Sequence, residues 1–147
     1  TYNMEEYITS KLQSGAVMGV GIYQQGAHDT SLMWATDMSS SNYVSFEPAN
    51  SVCLCEETYR ALEEHGCTIN GHKMVYIRSC YYEPLKCSVC FLASKYEPER
   101  NDKPRGCLVY QTDKLNQVAV CFGNDQTFGD CDREAAQIVK ELISSGY

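Results

Sequence analysis

The sequence predicts an α+β domain built on an antiparallel sheet, and three observations carry that prediction. Amphipathic helical stripes stand at both ends of the chain. Between them, runs rich in β-branched and aromatic residues alternate with turn residues, and the short links between runs are of the hairpin kind, which pairs neighbouring strands antiparallel. Helices at the two termini can then pack together on one face of the sheet. The length, 147 residues, fits one domain spanning 1–147.

The elements follow in order. Asn3 can cap a first helix with Glu6 at the capping-box position, while Tyr2 and Tyr7 occupy the places of a hydrophobic staple. Met4, Tyr7, Ile8 and Leu12 form one stripe and Gly15 supplies the stop. Ala16 to Tyr23 and Ser31 to Thr36 read as a hairpin that brings Trp34 near the layer of the first helix. After a polar loop, Asn50 or Ser51 can cap a second helix with Val52, Cys55, Tyr59 and Leu62 on one side, closed by His65-Gly66. Asn70-Gly71 is a strong hairpin signal between the Cys67–Ile69 segment and the run Lys73–Tyr82. Strands follow from about Cys87 to Lys95 and in a hairpin around Asp113-Lys114. The last helix, capped by Asp130 or Asp132, repeats Ala135, Ile138, Val139, Leu142 and Ile143 on one stripe.

Composition removes several function classes. The formal net charge is −7, which opposes a nonspecific grip on nucleic-acid phosphates or an anionic membrane. The chain has no apolar run of about 18 residues, and its first residues lack the basic and apolar regions of a signal peptide, so a cytoplasmic protein is expected. Nine cysteines, an odd number, argue against a disulfide scaffold and leave core thiols, a metal site or a reactive cysteine. Cys53 and Cys55 diverge on a helix, and Cys87 and Cys90 face opposite sides of a strand, so neither pair suits one ion and no metal or cofactor is expected. Glycines 15, 19 and 21 precede no helix and read as strand glycines rather than a phosphate loop. His28, His65 and His72 fall in turns and at a helix end, with no nucleophile indicated beside them. Catalysis has no candidate residues.

An aromatic constellation remains. Tyr2, Tyr7, Trp34 and Tyr147 lie at the first helix, the second strand and the chain end, and gather if the terminal helices adjoin. Such a groove suits a polyproline II ligand, whose rigid rings stack on aromatics while Trp and Tyr donors reach its carbonyls. The competing reading is that these aromatics are core.

These residues in this order resemble the profilin family. The likeness rests on YITSKLQSG with AVMGVGIY, SLMWAT around Trp34, the INGHKMVYIRS hairpin and the final GNDQTFGDCDREAAQIVKELISSGY. It implies a central antiparallel sheet with the N- and C-terminal helices on one face and smaller helices on the other. It also implies binding rather than catalysis. The proline groove would use Tyr7, Trp34, Leu142 and Tyr147, with Met4 where a tryptophan is usual, Tyr2 as its substitute, and Glu141 where a histidine or tyrosine is common. An actin surface would combine Lys73, Arg78, Lys95, Gly129 and Arg133 with Thr127, Asp132 and Gln137, a locally positive face.

The function implied is therefore an actin-monomer-binding protein that also binds proline-rich segments of formin-like or other cytoskeletal proteins and regulates polymerisation. Phosphoinositide lipids are further candidate partners, through Lys95, Arg100, Lys103 and Arg105, but the interleaved Glu97, Glu99 and Asp102 read as a solvated loop. Ala93 and Asp132, which depart from the family pattern, and the long loop Tyr96 to Arg105 motivate a second reading, a proline-motif adaptor with weak or no actin binding. A cysteine-based metal or redox protein is a third. Cys55, Cys80, Cys90, Cys107 and Cys121 are expected in the core, and Cys131, at a positive helix end, is the thiol most worth testing for reactivity.

Overall fold

The computed structural model describes residues 4–25, 30–35, 44, 46–47 and 56–147, with the backbone alone at 25, 30–35 and 56–58. Along the chain come α1 (Met4–Gln13), β1 (Gly19–Gln25), β2 (Thr30–Ala35), β3 (Phe46–Glu47), α2 (Glu56–His65), β4 (Cys67–Ile69) and β5 (His72–Tyr82). A 3₁₀ turn (Glu83–Leu85) leads to β6 (Cys87–Ala93), β7 (Gly106–Gln111), β8 (Asn116–Phe122) and α3 (Phe128–Ser144). The described strands order as β2-β1-β8-β7-β6-β5-β4-β3, and every paired neighbour is antiparallel. Among the described strands, β1 and β8 are the one paired couple that is not consecutive in the chain. That pairing brings the first hairpin against the last one, and with it α1 against α3.

The sheet is covered on both faces. Val20, Ile22, Leu108, Tyr110, Val118 and Val120 face a layer made by Met4 and Ile8 of α1 with Ala135, Ile138, Val139 and Leu142 of α3. The alternate residues Tyr23, Val109, Ala119 and Cys121 face Leu62 of α2 together with Val44, Phe46, Ile69 and Met74. This is the expected α+β arrangement, with α2 as the one small helix described on the second face. Cys87 belongs to the first layer and Cys90 to the second, as strand alternation requires. Six of the seven described cysteines, Cys67, Cys87, Cys90, Cys107, Cys121 and Cys131, are buried. They serve as small apolar side chains.

Several boundaries differ from the sequence reading. Helix α3 begins one turn earlier than expected, because Thr127 caps it by accepting a bond from the Asp130 amide at 3.1 Å; Asp130 is a first-turn residue and Asp132 lies just beyond that turn, so neither is the cap. A two-residue strand, Phe46–Glu47, and the 3₁₀ turn were not anticipated. The expected start of the second helix, with Cys53 and Cys55, lies outside the described residues, as do Tyr2 and His28. The Asn70-Gly71 turn is as expected, with φ of 50° and 84°, the left-handed pair that a tight hairpin needs. Strand β5 carries an irregularity: Tyr76 pairs with Leu92 but Arg78 with Phe91, so Ile77 is an inserted residue that reverses which face the following residues occupy.

Gly66 closes α2 with φ 68° and its amide bonded to the Leu62 carbonyl at 2.8 Å. A Cβ there would collide with the Met74 carbonyl on β5. Gly66→Ala is expected to lower the unfolding free energy by at least about 1 kcal/mol, from backbone strain alone. Denaturant titration measures this, and an unchanged midpoint would contradict the fit of α2 against β5.

Candidate ligand-binding surfaces

Helices α1 and α3 run antiparallel along a seam. The Lys11 ammonium bridges to Glu134 at 2.6 Å and also donates to the Gln137 amide oxygen. Both ion-pair side chains are largely shielded, and Lys11 additionally sits 5.2 Å above the Tyr7 ring. One turn earlier on α1 stands Tyr7, and one turn later on α3 stands Glu141. Burial pushes the Tyr7 hydroxyl up; Lys11 opposes that rise, and Glu141 adds to it. Tyr7 is half-buried, whereas Met4 and Leu142 are buried beneath the seam. Tyr147, on the tail that follows α3, is exposed.

The β7–β8 turn holds the tail that carries Tyr147. The Tyr147 carbonyl accepts from the Asn116 amide at 3.2 Å and the Thr112 hydroxyl at 3.4 Å, and the Lys114 ammonium donates to the Gly146 carbonyl at 2.8 Å. Strand β2 lies against α1, and Trp34 pairs in register with Ile22, itself a member of the α1–α3 layer.

A second surface forms where β5 and β6 meet the first turns of α3. Arg78, Cys80, Tyr82, Phe91, Phe128 and Asp132 surround a groove of about 120 Å³. Beside it, Arg133, Gln137 and Lys140 line a wider depression of about 480 Å³ together with Tyr82 and Asp132. Asp132 accepts from the Tyr110 hydroxyl at 2.5 Å, and Arg133 pairs with Asp130 at 2.6 Å. The Phe128 and Phe91 rings meet edge to face at 4.9 Å. Val75, Ile77 and Tyr81 add exposed apolar area along β5.

No family model matches the sequence, and no curated protein does either. Solved structures do. The chain superposes on Acanthamoeba castellanii profilin II with a TM-score of 0.62 at 14% identity, over 99% of this chain and 100% of that one. Mouse profilin IIa, in complex with a double repeat from the FH1 domain of mDia1, gives 0.66 at 17% identity over 99% and 100%. Human profilin II gives 0.66 at 13% over 95% and 98%. The chain has the profilin fold.

Within the profilin fold the expected groove residues separate into two kinds. Tyr7 and Tyr147 are available at the surface, but Met4 and Leu142 are core and support the groove from below. Ile143, read from sequence as part of the buried helical stripe, is exposed, on the flank of α3 away from the Glu134–Gln137 stripe that faces α1. The side chain of Trp34 and all of Tyr2 fall outside what the structure describes.

The second set is more tightly engaged than the resemblance implies. Lys73 donates to the His65 carbonyl at the end of α2, and Lys95 is exposed beyond β6, its carbonyl held by Lys103 at 2.9 Å. Thr127 spends its hydroxyl on the helix cap, and Gly129 faces open space. Gln137 is held by Lys11. The face expected to be locally positive is mixed, since Asp130 and Asp132 stand among Arg78 and Arg133. Cys80, Tyr81 and Tyr82 were missed as surface residues; from Ile77 to Tyr82 every residue of β5 is exposed, whichever face it occupies.

The 96–105 loop is not simply solvated. Lys103 is buried and pairs with Glu97 at 2.8 Å; Arg100 forks onto Asp102 at 2.9 and 3.2 Å; the Arg105 guanidinium lies 5.0 Å over the Tyr96 ring. Three of the four cations considered for a lipid headgroup therefore have internal partners. Among the described residues, no group of three His, Cys, Asp or Glu side chains could hold a metal, and no helix is long and apolar enough to cross a membrane.

Two thiol expectations are reversed. Cys80 is exposed rather than core, and Cys131 is fully buried with its thiol pushed well up by that burial, the opposite of a reactive thiolate. Maleimide labelling with peptide mapping should mark Cys80 first among the seven described cysteines; faster labelling of Cys131 would contradict this. Burial also pushes Cys90 up to about 12 and Cys87 up to about 11. An unfolded thiol ionises near about pH 8.5. These raised values therefore contribute stability that is fully present below that pH and is lost as pH rises through 11 and 12. Unfolding free energy measured from pH 8 to 11 should fall, and a rise would contradict the assignment.

Proposed function

We propose that this chain is a binding adaptor rather than a catalyst. It takes proline-rich segments at the α1–α3 seam and monomeric actin at the β5–β6–α3 face, and so regulates actin polymerisation. The observation that carries this reading is the seam: half-buried Tyr7 above buried Met4 and Leu142, with exposed Tyr147 on the tail that follows α3, on a profilin fold. An apolar, aromatic strip of this kind fits a polyproline II helix, which brings rigid rings and unpaired carbonyls at low entropic cost. The mouse profilin IIa structure, in complex with an FH1 repeat, supports proline-rich partners through the shared fold. The two surfaces use opposite ends of α3, its first turns and its last, which allows both ligands at once.

A second reading has its own support. Asp132 and Gln137 are already bonded to Tyr110 and Lys11, and Ala93 supplies no charge. These features favour a proline-motif adaptor that binds actin weakly.

Trp34 is the sole tryptophan, so its emission reports groove occupancy. Decaproline should change that emission, and Tyr7→Ala should weaken binding at least about fivefold, the loss expected for an aromatic anchor. A silent titration with no calorimetric heat would reject the groove. For the second surface, the protein at about 10 μM, a level suited to micromolar complexes, should slow spontaneous polymerisation of monomeric actin, and Arg78→Glu should remove the effect. No slowing by the unaltered protein would favour the adaptor reading.

A further inference from the structure

We infer that the groove selects proline-rich segments carrying a lysine or arginine next to the proline run, with Glu141 as the residue that recognises the cation. This rests on the groove reading above and adds the chemistry of the ligand. The argument begins with helix register. Glu134 and Gln137 both contact Lys11, which fixes the stripe of α3 that faces α1. Residue 141 lies seven positions beyond 134 and four beyond 137, on the same stripe. Since the helices are antiparallel, it meets the turn of α1 that carries Tyr7.

The local charges then decide the sign. Lys11, the cation nearest Tyr7, is neutralised by Glu134 at 2.6 Å. Glu141 is half-buried at the groove, and Glu5 and Glu6 are exposed on the first turn of α1. The charges that act on Tyr7 are Lys11, Glu141 and Glu134, one cation against two carboxylates, while Lys114 is held at the tail by the Gly146 carbonyl. The Tyr7 end of the groove is therefore acidic on a chain whose net charge is already −7. A polyproline II segment advances about 3.1 Å per residue, so a basic residue within about three positions of a proline stacked on Tyr7 reaches the Glu141 carboxylate. An acidic residue there meets like charge instead.

The test uses three peptides, an octaproline flanked by glycines, by arginines or by aspartates, titrated against Trp34 emission and by calorimetry at low salt. The arginine-flanked peptide should bind about fivefold more tightly than the aspartate-flanked one, the scale of one exposed ion pair. Raising the salt should shrink that ratio as the Debye length contracts from about 10 Å at 0.1 M to about 3 Å at 1 M. Glu141→Gln should at least halve the ratio, each variant's affinities being read against its own glycine-flanked peptide, and Glu141→Lys should invert it. Because the neutral peptide monitors the groove itself, a folding defect cannot pass for a loss of selectivity. Equal binding of all three peptides, or a ratio untouched by Glu141→Gln, overturns the inference while the groove stands. Failure of all three to bind overturns the groove and the inference together.

Discussion

Strands β7 and β8 are buried along their whole length on both faces, and the rest of the molecule follows from that constraint. A strand covered on both sides needs an apolar layer above and another below. Helices α1 and α3 supply one, while α2 with β3 and β4 supplies the other. Because β8 pairs with β1 as well as β7, the first hairpin must sit beside the last. The two terminal helices are thereby brought into contact, and the seam between them is a by-product of closing the core. The buried cysteines fit the same demand: Cys107 and Cys121 are direct register partners in the second layer, where larger side chains on both strands would crowd one another.

Helix α3 connects the two surfaces and keeps them apart. Its 17 residues span on the order of 25 Å at the usual helical rise. Asp132 and Arg133 stand near its start, Ile143 near its end, and Cys131, Ala135, Ile138, Val139 and Leu142 bind it to the sheet between. A rigid helix docked over most of its length holds two ligand surfaces in fixed relation without a moving part.

Much of this was legible in the sequence, for identifiable reasons. The Asn70-Gly71 turn and the stripe of α3 are local signals that the tertiary structure had no cause to override. The missed cap was also local: Thr127 stands three residues before Asp130, and the apolar stripe continues back to Cys131, four residues before Ala135. Extending that stripe by one turn would have placed Cys131 in the core. The Ile77 bulge left no comparable trace, since it depends on how β5 pairs with β6, and neither did the exposure of Cys80, Tyr81 and Tyr82, which lie where β5 is uncovered on both faces. The engagement of Asp132 by Tyr110, 22 residues away, is likewise a product of packing. Of the groove, sequence indicated the aromatic residues but not their depth, because the same stripe that brings Met4 and Leu142 to the seam also buries them.

The central claim is that the α1–α3 seam binds proline-rich ligand independently of the β5–α3 face, and amide NMR during a decaproline titration tests it most directly. The account predicts shifts confined to α1, β2 and the last turns of α3, including Tyr7, Trp34, Glu141 and Tyr147, with Arg78, Asp132 and Arg133 unmoved. Shifts centred on Arg78 and Asp132, or none anywhere at saturating ligand, would contradict it.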